Sequence, residues 1–561
     1  MMEKLKTIGI SIVTTLVLSL VIGAITTNNI IRGVLLGVLV VIVGIILNKF
    51  KKPILIIILP ALVSAIASFF IPGQIQWVIV AIIFSFIATA NLPKMFKVVF
   101  YMLMLTTLLT WILPISYFQY DLVTAEQTQV GLFSLLNYPT IALSYFGNVA
   151  LYVLVIGMFY GVLHNISAYR TMLDKIVDKA KGKESIVLGV IIAVIAILTS
   201  VCGAAQGIWV IIPFVISLVL LMGYNKITAA MVTIAPISVG LIGSTFASTY
   251  ITEESGNVVQ NGMGIVNAVL ETNANNLIGA KIILLILGIA IVVAGILTYA
   301  SKNKVEKVDE SLLPVVTDKK TKIWPLVLVF DLIFIVIILS LTSWTSVFGL
   351  NWFQKATEWV TSFEIFGFPI TNKLLGGIKA FENWSIDDIS ALLVVGIITL
   401  GLIYKIKAKE LINNVASGAK KALKPAALIV LAYVVLVIVS YHPIVLTMIK
   451  PLLSNKFNVL TMSVSAFMSS VFNVDLYYST STTLPYVTSL ISDKGVYALI
   501  ALVWQTIYGF AVLVGPTSIV MIPVLSYLDV SYGKWLKSNW KTILSLLALI
   551  FITLVVTMIL V

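Results

Sequence analysis

Between Val459 and Ser526 the chain is apolar enough for a membrane interior, yet it is interrupted in ways that one spanning helix does not allow. The run VLTMSVSAFMSSVFNV reaches an acid, Asp475, and passes into Tyr477-Tyr478-Ser479-Thr480-Ser481-Thr482-Thr483, which Pro485 is expected to stop. A second apolar segment starts near Gly495 and breaks at Val514-Gly515-Pro516-Thr517-Ser518. A helix needs roughly 20 apolar residues to cross a bilayer, and neither half of the first segment reaches that length. Lipid cannot satisfy freed backbone groups, so a hydroxyl cluster at membrane depth has to be buried in protein or line a wet cavity. The economical arrangement is a re-entrant hairpin followed by a discontinuous helix, as in many secondary transporters.

Composition extends this to the whole chain. Apolar residues make up 60% and charged residues 11%, against about 25% charged in a soluble domain. The net charge of +13 would suggest nucleic acid in a soluble protein, but here the lysines fall in short loops between apolar runs, as positive-inside topology requires. One cysteine, Cys202, excludes an internal disulfide and a Cys-only metal cluster, and His164 and His442 alone do not make a zinc site. No phosphate-cradling loop of the G-x-x-x-x-G-K-[ST] type is present, which argues against an ATP-driven pump. No cofactor is expected. A membrane enzyme acting on lipid would need a clustered acid, histidine or metal constellation, and none can be assembled. A channel is disfavoured by paired hairpins that would occlude a pore.

In chain order, residues 1–96 read as an N-terminal extension of four transmembrane helices, the first uncleaved. Loop charge then alternates. Loop 116–146 carries Asp121 and Glu126 without Lys or Arg and is placed outside; 166–184 is basic, amphipathic and inside, suited to an interfacial helix. Loop 251–275 is acidic and outside. Segments 301–322, 405–424 and 534–541 are lysine-rich and inside, and loop 344–384 is placed outside by counting spans. This puts the N-terminus inside and the C-terminus outside.

The topology contains a repeat. Residues 97–300 hold a hairpin at 185–222, with its tip at 199–207, and a helix over 227–250 broken at Gly243-Ser244-Thr245-Phe246-Ala247-Ser248. Residues 301–384 form the basic linker, a connecting helix and an external loop. Residues 385–561 hold the second hairpin, 459–492, and a broken helix, 496–525. Both broken helices carry Gly-x-Thr, at Gly243/Thr245 and Gly515/Thr517. By the charge count the hairpins enter from opposite sides, which is the mark of an inverted repeat with its site at the midplane.

The runs GVLHNISAYRTMLDKIVDKAKGKE (161–184), LINNVASGAKKALKPAALIV (411–430) and above all GPTSIVMIPVLSYLDVSYGKWL (515–536) resemble the C4-dicarboxylate anaerobic carrier family, with its basic amino acid antiporter branch nearest. The resemblance covers about residues 98–561. It implies an all-α polytopic membrane protein of the bacterial cell membrane with an elevator-type ion-transporter fold and about 13 spanning helices. It also implies a homodimer, with an ion-coupled site at the hairpin tips and broken helices. Two departures bear on substrate: Ala204-Ala205-Gln206 stands where the amino acid branch tends to carry acids, and Ser244-Thr245-Phe246-Ala247-Ser248 where it tends to carry an Asn-Pro pair.

Tip hydroxyls and carbonyls can coordinate Na⁺, and helix N-termini attract carboxylates. Such residues also serve as plain packing, but their clustering at two symmetric breaks favours a site. The candidates are Ser200, Gly203, Gln206, Ser244, Thr245 and Ser248 in the first half, then Ser479, Thr480, Ser481, Thr482, Thr483, Gly515, Thr517 and Ser518 in the second. Asp475 is the sharpest: a carboxylate at membrane depth is costly unless it is paired or solvated. It could meet an ammonium group, hold a coupling Na⁺ or H⁺, or merely cap a helix. Asp331 reads as a structural partner, Asp387 and Asp388 as helix-start charges, and both histidines as interfacial. The expected function is ion-coupled secondary transport of a small carboxylate-bearing metabolite. An amino acid is favoured because neither tip carries Lys or Arg and Asp475 could meet an ammonium group, and the resemblance implies basic amino acid antiport; a C4-dicarboxylate carrier is the alternative.

Overall fold

The structure, a computed structural model, describes residues 92–560 apart from 127, 204, 249–250, 253–257, 260–262, 306–308, 316–320 and 377–378. Almost all of the four-helix extension expected over 1–96 therefore lies outside the described residues. The chain runs through α1 (Lys94–Ile112), the strands β1 (Ile115–Phe118) and β2 (Leu122–Ala125), α2 (Leu132–Leu163), α3 (Ser167–Ala180) and α4 (Glu184–Cys202). There follow α5 (Ile212–Leu221), α6 (Lys226–Ile242), a small pair β3 (Ile251–Thr252) and β4 (Val258–Val259), α7 (Ile265–Val269) and α8 (Ile278–Ser301). Next come α9 (Trp324–Leu341), three short helices α10 (Trp344–Phe348), α11 (Trp352–Thr361) and α12 (Ile370–Leu375), α13 (Ile386–Ile403) and α14 (Ala408–Tyr441). The last part comprises α15 (Val445–Ile449), α16 (Val459–Asn473), α17 (Leu476–Leu490), α18 (Tyr497–Val514), α19 (Met521–Tyr527) and α20 (Tyr532–Leu560).

Among the described residues, 9 helices are long and apolar enough to cross a membrane. Several depart from the sequence reading. Proline is the common cause, because one ring removes a single N–H bond and a long apolar or well-packed helix can run on through it. Helix α2 passes through Pro139 and absorbs half of the expected loop 116–146; α14 passes through Pro425 and makes the lysine-rich 405–424 mostly helical. Pro485 does not stop the second hairpin either, since it lies inside α17. The first broken helix does not resume as an α-helix to 250: after Gly243 come a 3₁₀ turn, Phe246–Ser248, and the β3–β4 pair. Loop 344–384 is built from short helices rather than irregular chain, and β1–β2 is a hairpin in a chain expected to be all helix.

The chain divides into two compact units. In the described part of the first, residues 92–141 with 434–448, β1 pairs antiparallel with β2 and the Ser116 N–H donates to Pro443 O at 2.8 Å. His442 is structural here: its Nδ1 meets Thr128 Oγ1 and its Nε2 meets Tyr138 OH, each at 2.8 Å.

The second unit, residues 142–433 with 449–561, is centred on α6 and α18. Every residue of α6 from Thr228 to Ile242 is buried. The two helices are joined by polar bonds as well as by packing: Ser238 Oγ donates to Gly509 O at 2.7 Å and Thr506 Oγ1 to Ile242 O at 3.2 Å. The starts of these elements are locally encoded. Asn225 caps α6 by accepting the Thr228 N–H, Asn458 caps α16, and Ser385 with Asp388 forms a capping box on α13. In the same unit α2 and α14 cross at small residues. A Cβ on Gly418 would stand 2.1 Å from Gly157 O and 2.8 Å from the Gly161 Cα. Gly157-x-x-x-Gly161 is the small-residue spacing that lets membrane helices touch backbone to backbone.

Candidate functional site

Each half of the second unit contains a helical hairpin whose turn is set by one left-handed residue. In the first, α4 ends at Cys202 and Gly203 takes φ +63°, after which chain from Gly207 leads into α5. In the second, α16 ends at Asn473 and Val474 takes φ +63° and ψ −44°. The Asp475 N–H donates back to Asn473 O at 2.5 Å, so Val474 is the centre of a γ-turn of the rare, strained hand. A glycine adopts such a backbone freely and a β-branched residue does not.

Each hairpin is tied to the break that follows it. Thr245 donates both its N–H and its Oγ1 to Ser200 O at 3.1 Å, while Ser200 Oγ donates to Gly243 O at 2.6 Å. Thr517 Oγ1 donates to Val471 O at 2.5 Å. Ser200 stands three residues before Gly203, and Val471 three before Val474, so the two Gly-x-Thr breaks make the same contact in the same register. The carbonyls that the second break frees on α18 are met by side chains. Ser518 Oγ donates to Val512 O at 2.7 Å, Trp535 Nε1 to Leu513 O at 3.1 Å and Tyr532 OH to Val514 O at 2.5 Å. Backbone broken inside an apolar unit is thereby satisfied.

Both tips open on one cavity of about 560 Å³, within the usual range for a small-molecule site. The first tip contributes Gly203 and Gln206, the second Asp475 and Tyr478, and the walls include Tyr433 and Tyr508. Asn148 of α2, Glu382 and Ser385 line it as well. Asp475 is half-buried and is the N-cap of α17, its Oδ1 accepting the Tyr477 N–H at 2.8 Å. Glu382 is already engaged: its carboxylate accepts the Thr345 N–H at 2.8 Å and Gln354 Nε2 at 3.0 Å. No Lys or Arg is among the lining residues.

Comparison with known proteins supplies the decisive observation. The family model of the C4-dicarboxylate anaerobic carriers (DcuC) matches residues 92–561. The chain belongs to the C4-dicarboxylate anaerobic carrier family. Membership of a carrier family, together with the apolar helices, makes it a multi-pass membrane transporter and points away from an enzyme. The match is to the family and does not single out its basic amino acid branch. Among solved structures, the YdaH transporter of Alcanivorax borkumensis aligns at 14% identity over 82% of this chain and 98% of its own, with a TM-score of 0.39. No curated protein matches.

Of the residues expected to form the site, the carrier's cavity brings together Gly203, Gln206 and Asp475. Ser200, Thr245, Thr517 and Ser518 are buried in the ties just described. Ser479 and Thr483 point to Ser469, at 3.0 and 2.8 Å, and join the two arms of the second hairpin. Ser481 and Thr482 bond back to Tyr477 O and Tyr478 O in their own helix. Gly515 is buried in the break, where its N–H donates to Ala511 O. Ser244 Oγ and Thr480 Oγ1 are buried and make no hydrogen bond. Ser248 closes the 3₁₀ turn, and its side chain lies outside the described set.

Asp331 is exposed on α9, beside Lys175 and Lys179 of α3, rather than buried with a partner. The sequence reading passed over Tyr433 and Tyr508, which lie in apolar helices and read there as packing; their hydroxyl-bearing rings were the one available signal. Among the described residues no three His, Cys, Asp or Glu side chains converge. Hydroxyl and carbonyl oxygens at the ties, as at Ser200, Gly243 and Thr245, are the groups that could hold a cation.

Proposed function

We propose that this protein is an ion-coupled secondary carrier of C4-dicarboxylates, working by alternating access at the cavity between the two hairpin tips. The observation that carries the reading is that both tips, Gly203–Gln206 and Asp475–Tyr478, open on a single cavity in a chain whose family carries dicarboxylates. The recurring Thr-to-carbonyl tie in each half supports an internal repeat, with each hairpin moving together with its break. A diacid in this cavity is held by oriented dipoles: the start of α17, the start of α13 and the tyrosine hydroxyls. Asp475 repels such a substrate unless a cation neutralises it, so its role in this reading is to bind the coupling Na⁺ or H⁺.

A second reading rests on the same carboxylate. Asp475 and Glu382 line the cavity and no cation does, which suits a substrate bearing an ammonium group, such as an amino acid. The test is uptake of labelled succinate, arginine, ornithine and a neutral amino acid into proteoliposomes, with and without an inward Na⁺ or proton gradient, beside Asp475→Asn. Succinate uptake that loses only its ion dependence in the variant supports the dicarboxylate reading. Amino acid uptake abolished in the variant, with succinate ignored throughout, overturns it in favour of the second.

A further inference from the structure

A second, narrower cavity lies behind the first in the same unit. Val520 lines both, and Trp209 of the second cavity stands two residues from Gly207 of the first, so a thin wall separates them. Its walls come from the C-terminal part of α2, from α14, and from the chain around α5 and α19. Its chemistry is the reverse of its neighbour's. The first cavity is lined by Asp475 and Glu382 and by no cation; the second is lined by Lys421 and by no carboxylate. Two further lining groups are buried polar atoms without a partner: Trp209 Nε1, in a residue 4% exposed, and His164 Nε2, in a residue 5% exposed. An orphaned indole N–H can only donate. A buried donor left without an acceptor is costly, so its persistence here points to a ligand oxygen.

Two of its lining residues are bonded to the lysine-rich linker. Lys421 Nζ reaches Ser311 O at 3.1 Å in the basic linker, and the Val315 N–H donates to His164 O at 3.0 Å. The same linker is anchored by Asp309 to Lys226 at 2.6 Å. The linker thus engages Lys421, the cation among the lining residues.

We propose that this second cavity is a carboxylate-binding vestibule on the lysine-rich face, through which substrate passes to and from the central site, with Lys421 and Trp209 Nε1 as its anion-holding donors. The proposal rests on the carrier reading above. In the state described here the vestibule is constricted and Lys421 is turned to the linker. Substrate entry exchanges the Ser311 carbonyl for a substrate carboxylate, a stronger, charge-assisted partner for an ammonium. Ile156, Pro213 and Val524 supply apolar walls beside it.

The test is sided kinetics of succinate transport in right-side-out and inside-out vesicles, for wild type, Lys421→Gln, Lys421→Arg and Trp209→Phe. Lys421→Gln raises KM about ten-fold at the lysine-rich face and leaves the opposite face unchanged, as loss of one charge-assisted bond requires. Lys421→Arg restores most of it, and Trp209→Phe raises KM about five-fold on the same side only. Equal KM values on both faces for all variants, or equal rises on both faces, overturn the vestibule while leaving the carrier intact. Wild-type vesicles that move no carboxylate at all overturn the carrier reading and the vestibule with it. Unchanged thermal unfolding in each variant separates a binding effect from misfolding.

Discussion

The hydroxyl of Thr517 donates to the carbonyl of Val471 across 2.5 Å, joining the break after α18 to the first arm of the second hairpin. Thr245 makes the equivalent bond to Ser200 O at 3.1 Å in the other half. Thr517→Val keeps the shape, removes the donor and leaves a buried carbonyl unmet, a cost of about 1–3 kcal/mol. Thermal unfolding of the purified carrier in detergent is expected to shift down by a corresponding amount. Transport is expected to fall further than stability does, because the proposed alternating-access cycle has each hairpin move with its break.

Asp475 caps α17 and, in the proposed cycle, binds the coupling cation, and substitution can separate the two. Asn caps a helix about as well as Asp, whereas Ala loses about 1 kcal/mol at such a position. Asp475→Asn is therefore expected to fold with wild-type stability and to take up succinate without ion dependence, and Asp475→Ala to lose stability as well as ion dependence. Uptake assays beside unfolding curves check the pair.

Val474 carries the strain at the second tip. Its counterpart in the first hairpin is Gly203, with the same φ of +63°. Val474→Gly releases strain of order 1–3 kcal/mol, offset in part by the freedom glycine gains in the unfolded chain. The expected result is a net stabilisation of about 1 kcal/mol, read by unfolding, together with slower turnover if tip strain helps the hairpin open.

Gly418 has no room for a side chain, since a Cβ there meets Gly157 O at 2.1 Å. Gly418→Val forces α2 and α14 apart. A loss of more than about 3 kcal/mol is expected from overpacking at a backbone contact, visible as poor recovery of folded protein. Gly182→Ala is the control: its Cβ would meet nothing within 4 Å, though its φ of +77° exacts a smaller strain.

Lys226 holds Asp309 well below the ordinary carboxylate range, down to about 2. The group is ionised in both folded and unfolded chains above about pH 4, so its contribution is complete there and is lost as pH falls toward about 2. Both side chains are more than a third exposed or nearly so, at 34% and 39%, which keeps the contribution to about 0.5 kcal/mol. Proteolysis of the linker 301–322 is expected to quicken between pH 4 and 2 in wild type. In Asp309→Asn it should be fast throughout.

Much of this architecture can be read from local pattern. Apolar runs fix where helices lie, and Gly203, Gly243 and Gly515 mark hairpin tips and breaks because backbone without a side chain is needed there. Asp475 and Gln206 were legible as cavity-lining candidates for the same reason: polar groups beside a break inside an apolar segment. The boundaries at Pro139, Pro425 and Pro485 were not legible. Whether a proline ends a helix depends on whether neighbours stabilise the turn it weakens, and those neighbours are distant in sequence.

The sequence by itself determined the class of protein, the two hairpins and the chain breaks at Gly243 and Gly515, since hydrophobic length and Gly/Pro punctuation act within a single segment. Only the tertiary structure decided which hydroxyls face the cavity and which tie the elements together. Ser479 and Thr483, one turn apart on α17, point to Ser469. Tyr478, immediately before them, lines the cavity with Tyr433 and Tyr508. A helix presents every face at once, and the packing of its neighbours chooses the one that meets the cavity.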